Sequence, residues 1–364
     1  MAVPLDEYPI HQVPLSFAQV GTTDRNFYDR CIFQCFPRDD DVLLITGLGV
    51  YPNLGVIDAF AAVRTGDRQV VVRASDALGD DRMTQAVGPY RIDVVDPLRR
   101  LRLVCDTEAV SFDLTWDAVV PPIDEPHHLH RPGGKTLLDA QRFVQHGSWS
   151  GVLRVEGTER AVDDWVGTRD RSWGIRPVGE AVPPGRPSDE AIGGFWHTWT
   201  PIRFDDFGLF VFSEEDADGH RIISQAVRVW PEASGRPYEE LGWPEINVRY
   251  RSGARIPTGA VIHLAQRGKP IDCEIELSTF IPLAIGAGYG GDPEWHHGMW
   301  KGRDWLDTSV YDLSAPDLAG QIGFSVNDFV ARASFDGAEG WGIFEHACFG
   351  RHDPSGFADF ASVG

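Results

Sequence analysis

The chain has 364 residues, 42% of them hydrophobic, which is length and apolar content enough for two domains with real cores. Asp and Glu number 54 against 33 Lys and Arg, a formal charge of −21 with no basic run, so phosphate backbones and anionic membranes are poor partners. No stretch approaches the roughly 18 uncharged apolar residues of a membrane span, and MAVPLDEYPIHQVPL lacks a basic start and apolar core; the sequence predicts a cytoplasmic protein without integral membrane association.

Short runs of strand type recur in chain order: 41–46 (DVLLIT), 69–73 (QVVVR), 101–105 (LRLVC), 110–114, 151–155, 209–213 and 272–277. Each is rich in apolar or β-branched residues, and most lie near Gly, Pro, Asp or Asn. The one helical expectation is two or three turns over 135–144 (KTLLDAQRFV). Repeated strands with closely spaced turns predict an all-β sandwich or barrel rather than βαβ units. Three Pro and two Gly within 178–189 (VGEAVPPGRPSD) mark a linker, dividing the chain into 1–180 and 181–364. Residues 45–55 (ITGLGVYPNLG) mimic a dinucleotide turn, but no helix follows; 56–75 read as a hairpin. The cysteines 31, 35, 105, 273 and 348 include no metal-type pair of pairs and read as reduced core thiols.

The densest chemical signal is 142–176 (RFVQHGSWSGVLRVEGTERAVDDWVGTRDRSWGIR), read as two strands joined by a turn. Strand alternation sends Asp170 and Ser172 to one face and Arg169, Arg171 and Trp173 to the other. Asp170 between two guanidiniums reads either as an ion-pair knot or as part of a cavity. In 194–200 (GFWHTWT), Trp196 and Thr198 share one side, and Phe195, His197 and Trp199 the other. His197 reads as a buried core residue or an acid–base group. The 214–219 turn (EEDADG) falls short of an EF-hand loop. His296 and His297, within WHHGMW, would point to opposite sides of any strand. Glu345, in GWGIFEH, becomes a proton donor if it points inward, because desolvation raises its pKa. The His127–His130 cluster reads as a surface loop. There is no GxSxG elbow, P-loop or HExxH, and neither a metal nor a cofactor is expected.

The blocks QHG…TRDRSWGIR, GFWHTW…FDDFGLFVF, HGMWKG and GWGIFEH resemble the carotenoid 1,2-hydratase (hydroxyneurosporene synthase) and AttH-like superfamily, with the closest likeness to its uncharacterised bacterial members. The likeness spans Asn26 to Phe360, and the specific part is 142–212. It implies two tandem lipocalin-like (calycin) β-barrels. It also implies a cofactor-independent hydratase, dehydratase or isomerase acting at a double bond of a terpenoid-, steroid- or polyene-like substrate. Asp170, His197 and Glu345 are then candidates for acid–base chemistry. Gln145, Arg171, Trp173, Trp196, Trp199, His297 and Trp300 are candidates for substrate binding. Relatives commonly carry His where this chain has Arg171, and Arg does not shuttle protons at ordinary pH. The acid–base role then falls to Asp170 or to His197 or Glu345, or the hydratase chemistry is lost. The other reading from the residues is a carrier holding an apolar small molecule in the same cavity; a homodimer is compatible with either.

Overall fold

The computed structural model describes residues 2–39, 41–131, 134, 136–178, 194–290, 292 and 294–364. Residues 179–189 of the expected linker therefore lie outside the described residues. The chain is 58% strand and 4% helix, and its strands form two curled antiparallel sheets, the tandem-barrel architecture. Among the described residues no helix is long and apolar enough to cross a membrane.

The first sheet opens with β1 (Phe27–Phe36), β2 (Val42–Tyr51), β3 (Val56–Thr65) and β4 (Arg68–Ala77), each paired with the next. The β3–β4 hairpin occupies the place where a nucleotide turn would need a helix. Next come β5 (Ala86–Val87), β6 (Tyr90–Asp96), β7 (Arg100–Asp106) and β8 (Val110–Ala118). Then β9 (Ile123–Asp124) and β10 (His128–His130) pair with β11 (Leu138–Val155), which forms a long hairpin with β12 (Thr158–Ile175). β12 closes back onto β1. The helix expected over 135–144 is a strand from Leu138 onward: this end of β11 is pinned between β12 on one edge and β10 and β9 on the other, and tertiary pairing outweighs the helix propensity of Leu, Ala and Gln.

The second sheet comprises β13 (Gly194–Phe204), β14 (Gly208–Asp216), β15 (Arg221–Val229), β16 (Glu239–Glu240), β17 (Glu245–Tyr250), β18 (Pro257–Gln266) and β19 (Lys269–Pro282). After β20 (Trp305–Asp312) and the short helix α1 (Ala319–Gly323), β21 (Asn327–Phe335) and β22 (Ala338–Gly350) complete it. β20 is the exception: it leaves the second half and pairs with β4 at the edge of the first sheet.

The three largest apolar cores follow from this arrangement. One fills the first sheet's interior around Phe33, Leu103, Trp116 and Trp149. Another fills the second around Phe204, Leu209, Ile275 and Phe344. The third lies between the sheets and joins Phe36, Ile45 and Phe60 to Phe210, Phe212, Trp295 and Ile343. Strands serving two cores cannot alternate, so β2 is buried at every position, whereas β17 and β20, each with one face open, alternate cleanly. Polar ties reinforce this contact: Gln69 Nε2 donates to Ile285 O at 2.6 Å, and His146 Nε2 lies 3.1 Å from Leu209 O. Gly147 and Gly167 face each other across β11 and β12, and their missing side chains leave room for the Trp116–Trp149 pair, whose centroids are 5.2 Å apart. All five cysteines are free and buried.

Candidate active site

A cavity of about 1050 Å³ opens where the two sheets meet. The first sheet contributes every second residue of its strands: Arg30, Ile32 and Gln34 from β1, Asp170 from β12 and Arg142 from β11. The second contributes Phe195, His197 and Trp199 from β13, Glu214 from β14 and Glu345 from β22. Alternation places these side chains on one face, as read for 169–173 and 194–200.

His197 is the electrostatic centre. Its Nε2 is 2.8 Å from Glu345 Oε1 and its Nδ1 3.5 Å from Glu214 Oε2. Burial disfavours the imidazolium, but the bonds to both carboxylates outweigh that and raise its pKa to about 9. Burial likewise works against charge on Glu214, yet His128 and His197 hold it well below the carboxylate range. Glu345 behaves the same way, lowered by His197 and Asp328 against burial. Asp328 sits directly across from Glu345 in the β21–β22 ladder, is fully buried, and is raised well above its ordinary value by burial and by Glu345. It is thus the protonated member of that pair. Its Oδ2 accepts from Gln34 Nε2 at 3.0 Å, and Gln34 Oε1 accepts from Thr168 Oγ1 at 2.6 Å, which joins the second half's acids to the first half's strands.

A second relay crosses the same boundary. His128 Nε2 is 3.2 Å from Glu214 Oε1, and Arg142 donates to His128 Nδ1. Burial lowers the pKa of His128 despite Glu214, so it serves as a neutral acceptor for Arg142. His127 and Leu129 are exposed as expected of the 127–130 cluster, but His128 is 4% exposed, which corrects the surface reading at that position: β10 docks on β11 and turns this imidazole inward. Glu125 is likewise buried. Its Oε1 accepts from Trp199 Nε1 at 2.8 Å, and burial raises it to about 7 against the pull of Arg142.

Asp170 lines the cavity without forming an ion pair to either sequence neighbour. Arg169 turns to the other face and donates to Gln145 Oε1 at 3.0 and 2.7 Å, while Arg171 pairs with Asp29 at 2.8 Å. Burial raises the Asp170 pKa, opposed by Arg142 and Arg30, and its Oδ1 has no hydrogen-bond partner.

The structure thus brings Asp170, His197, Glu345 and Trp199 together. It places the other sequence candidates elsewhere. Gln145 is spent on Arg169 and on the carbonyls of Leu98 and Val120. Arg171 and the 39%-exposed Trp173 lie off the cavity. Trp196 stacks on His352 on the opposite face of β13. Trp300 is half exposed. His297 lies in the strandless segment between β19 and β20, packed on Phe60, Tyr289 and Trp295. It is not among the residues lining the cavity but packs behind Tyr289, which is, and burial lowers its pKa to about 4. Sequence reading passed over Arg30, Gln34, His128, Arg142, Glu214 and Asp328. A signal existed for the first two: FYDRCIFQCF is an apolar strand with polar residues four apart, hence on one face. The described residues hold one cluster with three metal-type ligands, Asp216, Asp218 and the exposed His220, near the cavity mouth.

Fold and cavity together define an all-β protein of two tandem lipocalin-like barrels whose candidate site lies between the halves. The chain belongs to the Family of unknown function (DUF8625), whose model matches residues 3–358. No curated protein matches it in sequence. Among solved structures it is similar in fold to kievitone hydratase from Nectria haematococca, at 12% identity and a TM-score of 0.52 over 90% of this chain and 92% of that one. Two further similar structures are CghA (11% identity, TM-score 0.49, 93% and 95% covered) and CghA with Sch210972 (11%, 0.46, 89% and 88%).

Proposed function

We propose that this chain is a cofactor-independent lyase or isomerase that adds water to, removes water from, or shifts a double bond of a hydrophobic, terpenoid- or polyene-like small molecule. What carries the reading is that Asp170, His197 and Glu345, from three strands of two sheets, open onto one aromatic-walled cavity. A carrier needs the walls but has no use for an unpaired buried acid beside an acid–imidazolium pair. The fold shared with a hydratase is compatible with this chemistry, and so is the likeness to the carotenoid-hydratase superfamily.

In the hydration direction Asp170, in its carboxylic acid form, transfers its proton to one alkene carbon. The cation left on the other carbon faces Trp199 and Phe195, each such contact contributing roughly 0.5–2 kcal/mol. Water adds to that carbon, and its surplus proton passes to the Glu345 carboxylate, which the His197 imidazolium holds in place. Exchange through cavity water returns the proton from Glu345 to Asp170, so the net change is alkene plus water to alcohol. Dehydration is the reverse. In isomerisation Glu345 removes an allylic proton instead.

The test incubates the protein with a panel of polyene and terpenoid alkenes in ¹⁸O-labelled or deuterated water and reads isotope uptake by mass spectrometry. Wild type should label at least one member. Asp170→Asn should lower the rate by about two to four orders of magnitude, the usual worth of a proton donor. Its melting temperature should move by only a few degrees, because no ion pair to Arg169 or Arg171 is lost. Binding without labelling by wild type identifies a carrier and refutes the proposal.

A further inference from the structure

One end of the cavity is unlike the rest. Arg30 and Arg176 both lie over the same two aromatic rings, Tyr289 at 4.8 and 5.8 Å and Tyr28 at 5.9 and 5.7 Å. Arg30 is 3% exposed, its NH2 donates to Tyr289 Oη at 3.0 Å, and its Nε is buried with no partner. Among the described residues neither guanidinium forms an ion pair. What sets Arg30 apart is the unpartnered Nε: the other deeply buried guanidiniums are satisfied, Arg73 by Asp292 and Asp307, Arg228 by Glu239 and Asp336, Arg169 by Gln145 Oε1 and Arg255 by backbone carbonyls such as Ser362 O and Gly350 O.

Taking a guanidinium out of water is costly unless its donors are met by acceptors, and the Nε of Arg30 meets none. The nearest candidate acid is Asp170, which lies diagonally across the β1–β12 ladder, yet it stays outside ion-pair distance and keeps its own Oδ1 free. The unused capacity on this wall is therefore donor capacity: the Nε of Arg30, the remaining guanidinium hydrogens and, beside them, Arg176. A flat fork of donors suits a flat two-oxygen acceptor better than a neutral hydroxyl.

We propose that the Arg30–Arg176 end, framed by Tyr28 and Tyr289, seats a carboxylate of the ligand, so that the substrate is an apolar unsaturated acid and not a neutral hydrocarbon, alcohol or sterol. This rests on the reading of the cavity as a substrate site and narrows its substrate class. The seat also orients the substrate. With the carboxylate held at Arg30, the apolar chain runs toward Trp199 and Phe195, past Asp170 on one sheet and Glu345 on the other.

The test is equilibrium binding of two probes of one shape, all-trans-retinoic acid and all-trans-retinol, read by quenching of tryptophan fluorescence in the purified full-length chain. Wild type should bind the acid at least about tenfold tighter than the alcohol, since charge-assisted pairs are worth that much or more. Arg30→Gln should lose most of this preference while holding retinol within about twofold, and Arg30→Lys should keep part of it. Melting temperature without ligand supplies the second readout. If Arg30 is an uncompensated cation awaiting an anion, Arg30→Gln should melt no lower than wild type; a drop of several degrees would make Arg30 a structural prop of Tyr289. Equal affinity of wild type for acid and alcohol overturns the carboxylate seat and leaves the proposed chemistry standing. Absence of quenching by both probes overturns the cavity reading along with it.

Discussion

His197 is 7% exposed and carries a pKa of about 9 where an ordinary imidazole has 6.5, because Glu345 and Glu214 flank it. The folded state therefore binds this proton more tightly than the unfolded chain, by roughly 3 kcal/mol at about 1.4 kcal/mol per tenfold. The sign follows from the direction. Because the folded pKa is raised, the stabilisation is fully present below about pH 6.5 and is lost as pH climbs through about 9. Wild type and His197→Gln are to be unfolded in urea at steps between pH 6 and 9.5. Wild type should be the more stable by about 3 kcal/mol at the acid end, and the gap should close toward pH 9.5, where a neutral imidazole no longer balances the two acids. Comparing the two proteins cancels the buried Cys and Tyr groups, which are raised by burial in both. A gap that stays constant across the range would show that His197 is neutral when folded and that its link to Glu345 is an ordinary hydrogen bond.

Gly167→Ala should destabilise by about 1–3 kcal/mol, because its Cβ would stand 2.5 Å from Trp149 Cδ1 in a packed wall; an unchanged melting temperature would mean that the Trp116–Trp149 pair can slide. Trp199→Phe keeps the ring but deletes the donor to Glu125 Oε1, leaving that buried oxygen unsatisfied at a cost of about 1–3 kcal/mol. The loss should be smaller below pH 7, where Glu125 is protonated, and a pH-independent effect would contradict the raised pKa of that carboxyl.

The all-β class and the long β11–β12 hairpin were legible because they are local: apolar runs, punctuating glycines and a two-residue turn at Glu156-Gly157. The inward faces of 169–173 and 194–200 were legible for the same reason, since alternation is a property of one strand. What was not legible depends on which strand meets which. Nothing local says that β20 returns to the first sheet, or that His128 in a Pro-flanked loop will reach Glu214 on the other sheet. Gln34 and Asp328, 294 positions apart, are ordinary polar residues until two strands of different sheets bring them to 3.0 Å. The helix expected at 135–144 failed because short-range propensity is weak beside an eighteen-residue strand paired on both edges.

Asp170 and Arg30 lie on one face of adjacent strands, each buried, each with a polar atom unpartnered, and each within electrostatic reach of the other. A fold selected only for stability would close that gap, since a paired carboxylate and guanidinium cost less than two separated ones. The separation has a purpose if the cavity is meant to hold a molecule between them. An acid kept apart from the Arg30 guanidinium keeps the upward pull of burial on its pKa, whereas an ion pair at that point would lower it and make it a poorer proton donor. An arginine kept apart from its nearest acid remains available to an incoming anion. The same few ångströms therefore serve both proposals. They also tie them together in one double substitution. Joining the two groups by Asp170→Glu, one methylene longer on the same strand, should raise the melting temperature and lower both acid preference and isotope uptake, and Arg30→Gln in that background should remove the added stability. A stabilised Asp170→Glu protein that labels substrate as fast as wild type would show that the gap serves neither.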